Sequence, residues 1–388
     1  MNPLRKFYLN EQDRHHRWFM RTYAKLTTHK LYKGSSFDIK PLTSDQKKQV
    51  DDLYVKNFGK KISYKGHEMY TSFSGVFNPN YIPRDIYYSD IECLFNNNNE
   101  YGKVLEDKNF LPLYAKSLGV KTPKTIWSNS DGLNYVDGGK FLSRADIVEI
   151  LKNVDSLFIK PSVGTSGGAE CNIYRNFKHD EDSINSLLDE IDANYGANYV
   201  VQQAVVNCAE LKQIHPSSLN TFRVITYILD GQVKHMPCSM RMGRGGAFVD
   251  NTSAGGIVVG INDDGILLEK AFSDKLDFVC TKHPDTGYVF SEHRISSFEK
   301  VIEAAEMLHR HIPQIKIVNW DFTIDEDNEP VLIEANCEFA AGYDLVQIAH
   351  SEGPFGKDTK KVLRMARELG SARKLNRNEI YSKNGFWN

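Results

Sequence analysis

Apolar residues recur at helical spacing near the start of the chain, so 10–32 and 43–58 read as helices. Thr43-Ser44-Asp45 supplies cap candidates for the second. Residues 59–100 are rich in Tyr, Asn, Gly and Pro, end in an Asn-rich turn, and read as loop and short strand. The middle of the chain alternates. Helix 108–118 ends at Gly119, a strand follows at 120–127, and helix 143–154 is capped by Ser143. Strands at 157–160 and 170–175, helix 180–193 and a buried strand at 199–206 come next. Beyond residue 220 the pattern is mainly β. Runs 222–229 and 233–239 flank Asp230-Gly231, a hairpin signal. Two more hairpins are expected, 256–261 with 266–269 and 317–324 with 330–335. Helices are expected at 298–311 and 357–369, and no internal repeat is visible.

At 388 residues the chain can bury substantial cores, and two or three lobes are expected. A net charge of -2 gives no argument for nucleic-acid binding. Six cysteines (93, 171, 208, 238, 280, 337) contain no CxxC, which supports neither a disulfide framework nor a zinc knuckle. A reducing cytoplasm is the simplest compartment. The opening residues lack the apolar core of a secretory signal, and no run is long enough to span a bilayer. That opening segment is nevertheless basic and aromatic (Arg5, Lys6, His15, His16, Arg17, Arg21, Lys25 around Trp18-Phe19-Met20). It reads either as a surface for membrane or acidic partner, or as an amphipathic helix docked on the body. The near-neutral chain favours the docked helix.

Two segments about 160 residues apart carry the candidate chemistry. In the first, Lys160 leaves an apolar strand just before Gly164-Thr165-Ser166-Gly167-Gly168. Such a lysine supplies a point charge to phosphate, and a glycine loop brings backbone N–H groups close to it. The GxxxxGK[ST] pattern is absent, so this is not a P-loop, and no GxGxxG follows a strand. In the second, Asp321 and Glu334 fall on adjacent strands of the last hairpin, and Asn336 shares a strand face with Glu334. They are polar exceptions among apolar neighbours, and buried carboxylates need a cation. Hard oxygen ligands suit Mg²⁺, with Mn²⁺ as a substitute. The Asp325–Asn328 stretch lacks the Gly and Glu of a calcium loop and reads as a turn.

Together these segments resemble the ATP-grasp superfamily. The resemblance implies an α+β fold in which two α/β lobes sandwich ATP, here with a helical N-terminal extension. The divisions expected are 1–100, 101–206 with the glycine loop, 207–356 with the metal site, and a tail at 357–388. It implies nucleotide-binding roles for Lys108, Lys160 and the loop Gly164, Thr165, Ser166, Gly167 and Gly168. Gln202, Gln203, Ala204, Val205 and Val206 match the adenine-binding hinge, and Glu210, seven residues past Gln203, matches the ribose-binding acid. Asp321, Glu334 and Asn336 match the metal ligands, with a 13-residue spacing like that of D-alanine–D-alanine ligases.

A closer resemblance covers roughly 60–355. His215-Pro216-Ser217-Ser218-Leu219-Asn220-Thr221-Phe222-Arg223-Val224 and Val249-Asp250-Asn251-Thr252-Ser253-Ala254-Gly255-Gly256 look like the sugar-transfer-associated ATP-grasp group. That group tends to be encoded with polysaccharide-assembly enzymes. It implies phosphate-facing roles for Arg223 and for a second arginine, Arg241 or Arg244. Gln203 replaces the acid found in many relatives, and the first 60 residues do not read as the usual βαβ domain. The activity implied is an ATP-dependent carboxylate–amine ligase acting on small molecules, sugar-linked ones included, through an acyl phosphate. Rival readings are a kinase that stops at phosphoryl transfer and a non-catalytic nucleotide-binding scaffold. His215, His283 and Asp250 are candidates for a general base, each weighed as structural first. Oligomeric state is not legible.

Overall fold

The computed structural model describes residues 3–34, 37–96, 99–163, 170–247, 250, 255–273, 275–338 and 342–383, without the side chains of 6, 99, 375, 382 and 383. Within them lie two antiparallel sheets. The smaller contains β1 (Thr125–Ser130), β2 (Leu133–Tyr135), β3 (Ser156–Pro161), β4 (Asn172–Arg175) and β5 (Tyr199–Gln202), in the order β2-β1-β5-β3-β4. Helices Arg144–Leu151 and Glu181–Tyr195 cover one face, joining Ile147, Leu151, Ile184 and Ile191 to Leu157, Ile159 and Val201 in one core. Ser143 opens the first helix with a capping box, its side chain accepting from Asp146 N while Asp146 accepts from Ser143 N. Thr43 and Gln46 form the same device at Ser44–Phe58.

The larger sheet contains β6 (Thr221–Leu229), β7 (Gln232–His235), β8 (Cys238–Met242), β9 (Ile257–Ile261), β10 (Leu267–Phe272), β11 (Val279–Cys280), β12 (Ile317–Ile324) and β13 (Pro330–Asn336). Its order is β11-β10-β9-β8-β6-β12-β13, with β7 paired to β6. Asp230 and Gly231 both take positive φ (57° and 68°), as a two-residue hairpin turn demands. The strand expected over 233–239 is two strands. Register slips by one residue between the Thr226–His235 and Arg223–Ser239 pairs. Pro237, which has no N–H to give the ladder, sits at the slip.

Alternation along β6 divides its two faces. Phe222 and Val224 enter a core with Trp320, Phe322 and the helix Phe298–Arg310. On the other face Ile225 and Tyr227 lie under a layer of helices from both ends of the chain, beside Tyr87, Ile91, Phe95, Phe355 and Leu363. Thr221 and Arg223, earlier on that face, instead line a cleft or pair beside it.

The loop-and-strand reading of 59–100 is corrected. This stretch forms helices Lys65–Ser74, Arg84–Ile86, a π-helix Tyr87–Glu92, Cys93–Phe95 and the start of Asn99–Glu106. Its tyrosines point inward: Tyr70, Tyr81, Tyr87 and Tyr88 are all buried. The turn formers are confined to ends, Gly75 capping one helix at φ 77° and Pro83 preceding the next. Composition flagged the punctuation and missed the short apolar faces between. The first helix runs over Pro3–Gly34 and is docked through Met20, Ala24 and ion pairs of Arg17 and Arg21 with Asp90. No helix among the described residues is long and apolar enough to cross a membrane.

Two fully buried histidines make stability pH-dependent. His309 bonds Thr226 Oγ1 at 2.6 Å and Ile315 O at 2.9 Å, and Trp320 Nε1 donates to the same hydroxyl. His67 bonds Pro79 O at 3.2 Å. Burial pushes both imidazoles down to about 4. The unfolded chain therefore binds more protons than the native one between roughly pH 4 and 6.5. Stability is full above that window and falls as pH drops through it. Urea midpoints measured across it should decline, and His309→Gln should flatten the slope by about one proton. A flat wild-type profile overturns the assignment.

Candidate active site

The two sheets present polar faces to one cleft with about 1220 Å³ of atom-free space, part of it open solvent. On the smaller sheet, alternation sends Leu157 and Ile159 into the core and Phe158 and Lys160 to the cleft. Phe158 sits opposite Ile173 on β4 and Gln202 on β5, and all three line it. Lys160 is 4% exposed, with Nζ 3.4 Å from Ile333 O. Burial pushes its ammonium down to about 8 while Glu334 pulls the other way. Lys108 arrives from a separate segment. Its backbone N–H donates to Ser162 O at 3.0 Å, and its Nζ pairs with Glu334 Oε1 at 3.1 Å. Two lysines distant in sequence thus converge on one carboxylate.

The larger sheet supplies the opposite wall through register. Glu334 on β13 lies across from Asp321 on β12, and Asp321 lies across from Arg223 on β6. Arg241 on β8 pairs with Thr221 one step along. One row of the sheet therefore carries acid, acid and guanidinium, with a second guanidinium adjacent. Arg223 Nε is 2.6 Å from Asp321 Oδ1, and Arg241 Nη2 is 3.1 Å from Oδ2. Arg241 also donates to Thr221 Oγ1 at 3.0 Å and lies 3.5 Å from Asp250. Thr221 donates to Asp250, whose carboxyl burial raises against the pull of Arg241.

Next along the wall comes the stretch expected as the hinge. Gln203, Ala204, Val205 and Val206 all line the cleft, and Gln203 N–H donates to Lys124 O at 2.8 Å. The stretch is held by Asn207, which donates to Thr323 Oγ1 at 2.6 Å and accepts from Asn220 N at 2.8 Å. Four expected residues are not among those lining the cleft: Arg223, which stands beside it through its pair with Asp321, and three that turn elsewhere. Glu210 sits on helix Ala209–Ile214 and turns to Ser296, accepting from its N–H and hydroxyl at 3.0 and 2.8 Å. Arg244 leaves the end of β8, donates to Gly255 O at 2.5 Å and lies over the Phe278 ring. Of the two second-arginine candidates, only Arg241 lines the cleft. Asn336 ends β13 beside Asn319, whose amide donates to its carbonyl, and it is not among the lining residues. Gly164, Thr165, Ser166, Gly167 and Gly168 lie outside the described residues.

Of the three base candidates only Asp250 lines the cleft. His215 Nδ1 accepts from Ser218 N, and its Nε2 lies 3.3 Å from Asp285. His283 bonds Gly243 O and accepts from Asp285 N. Their ring nitrogens are occupied, and they brace the 216–219 loop that forms one rim. Gln202, the first residue of the expected hinge stretch, also lines the cleft, and its buried Oε1 has no hydrogen-bond partner among the described residues; sequence reasoning missed Cys171 and gave Thr221 no role. Thr221 had a signal, since it lies two before Arg223 on one strand; Cys171 had none.

A cleft clamped between two antiparallel sheets, with paired lysines facing paired acids, defines an ATP-grasp protein. A family model described as sugar-transfer associated ATP-grasp matches residues 91–363. The chain belongs to that family. It is similar in structure to L-amino acid ligase from Bacillus licheniformis (11% identity, 68% of this chain and 48% of that one, TM-score 0.37). It is also similar to D-alanine–D-alanine ligase from Bacillus anthracis (15%, 72% and 70%, 0.39). A third is biotin carboxylase from Campylobacter jejuni (12%, 68% and 46%, 0.41). The chain spans about half the length of the first and third. No curated protein matches it.

Proposed function

We propose that the protein is an ATP-dependent carboxylate–amine ligase acting on small molecules, in a reducing cytoplasmic compartment. The observation that carries this reading is the convergence of Lys108, Lys160, Asp321, Glu334 and Arg241 on one cleft, with Arg223 paired to Asp321 beside it. The residues present fit Mg-ATP. Gln202 offers a buried acceptor without a partner, the two lysines offer phosphate charge, and the two acids offer hard oxygens. Asp321 and Glu334 would hold Mg²⁺ or Mn²⁺, which when bound supplies Lewis-acid charge to phosphate oxygens.

Lys108 and Lys160 position polyphosphate as point charges. Arg223 and Arg241 offset the charge that develops when a substrate carboxylate oxygen attacks the γ-phosphorus and ADP leaves. The substrate amine then attacks the acyl carbon and phosphate departs. Asp250, the base candidate on the wall, takes the amine proton. No side-chain nucleophile is required. The family's association with sugar transfer supports a substrate from cell-surface polysaccharide or peptide-like metabolite assembly.

The test is a screen of amino acids, uronic acids and nucleotide-sugar carboxylates with amines, read as ADP release and condensed product by mass. AMP release or a phosphorylated end product overturns the reading. The nucleotide site is tested separately. Lys160→Ala should weaken ATP binding by about ten- to a hundredfold, the worth of a charge-assisted contact. Calorimetry giving unchanged affinity would make Lys160 structural.

A further inference from the structure

The first helix is fixed in rotation about its axis. Its inner face buries Met20 and Ala24, pairs Arg17 and Arg21 with Asp90, and pairs Asp13 with Arg377 at 2.6 Å. It cannot roll to hide its other side. At 3.6 residues per turn, positions 7, 11, 15, 18, 22, 26, 29 and 33 form one outward line. Phe7, Trp18 and Leu26 on that line are 67%, 65% and 65% exposed, and Phe19 beside it is 58% exposed. Large apolar groups this open, grouped on one rigid face, mark an interaction surface.

The charge on that side is mostly positive. Arg5, Arg14, Lys25, Lys30 and Lys33 are exposed. Of the two acids on the helix, Asp13 turns inward to Arg377 and Glu11 pairs with Arg14. A second copy of the chain would bring this cationic face against itself, which costs association. An anionic phospholipid surface matches both features. Aromatic and leucine side chains enter the headgroup boundary while lysine and arginine stems extend to lipid phosphates.

We infer that the outer face of Pro3–Gly34 docks the protein on an anionic bilayer surface, lying along it without crossing. This surface is separate from the cleft and does not depend on the reaction assigned there.

Co-sedimentation of the full chain with phosphatidylcholine vesicles, with and without phosphatidylglycerol, tests it. Binding should be at least about tenfold stronger with the anionic lipid and weaken with added salt. The Trp18→Glu/Phe19→Glu pair should abolish it, and Lys25→Glu/Lys30→Glu should reduce it about tenfold or more. Both pairs should keep the wild-type melting temperature and ATP affinity. A difference spectrum between wild type and Trp18→Phe isolates Trp18, because the other three tryptophans, Trp127, Trp320 and Trp387, are common to both proteins. Its emission should shift blue on anionic vesicles only. No vesicle binding, equal binding to neutral vesicles, or a dimer in sedimentation velocity that Trp18→Glu dissolves overturns the inference. So does selective binding to an acidic protein with no vesicle binding.

Discussion

Glu334→Gln is expected to lose metal-dependent ADP release by about a thousandfold, several kcal/mol of charge stabilisation, while melting close to wild type. Asp321→Asn should lose turnover as fully and stability as well. The difference comes from their surroundings. The Glu334 side chain is 27% exposed, and its ion pair is with Lys108. The Asp321 side chain is 3% exposed and neutralises both Arg223 and Arg241. Removing one partner of a buried pair costs about 3–5 kcal/mol, because the remaining charge loses that counter-ion. Urea unfolding alongside Mn²⁺ binding by electron paramagnetic resonance separates the two effects. Full activity in Glu334→Gln, or normal Mn²⁺ affinity in both variants, removes the metal assignment.

Arg223→Ala should lower turnover by about 10²–10³-fold and change ATP affinity by only a few-fold. An arginine that grips charge only as it develops acts on the transition state, so kcat and kcat/KM should fall together. Positional isotope exchange within ATP, dependent on the carboxylate alone, should be present in wild type and nearly absent in the variant. Normal turnover in Arg223→Ala, or exchange without a carboxylate, rejects the acyl-phosphate route.

The larger sheet was largely legible because its turns are chemical. Asp230-Gly231 takes two positive φ angles, and no long-range contact is needed to see it. The acids and Arg223 stood out as charged residues on apolar strands, and strand register then lined them up. Arg241 and Arg244 could not be separated. The choice depends on which way the chain turns after β8, and Gly255, 11 residues on, and Phe278, farther along, decide it. Glu210 had the expected spacing from the hinge, but spacing says nothing of Ser296, its partner 86 residues on. The helices of 59–106 were hidden because each is short, and distant residues complete their apolar faces: Ile225, Ile317 and Leu363 for those of 84–95, and Val258, Phe272 and Leu345 for Lys65–Ser74.

One side chain among these helices bears on biosynthesis. Asn96 donates to Ile317 O and Cys337 O, and accepts from Lys316 N and Ile317 N. Its amide closes the ends of two strands that lie 221 and 241 residues later. Ile82 is likewise held on both sides of its peptide by Gln347, 265 residues on. A ribosome adding about 5–20 residues per second needs tens of seconds to supply those partners. Throughout that interval the tyrosine-rich segment has been made but has nothing to close on. This segment emerges long before its partners and is finished only with them, so nascent chains should lean on holding chaperones throughout that interval.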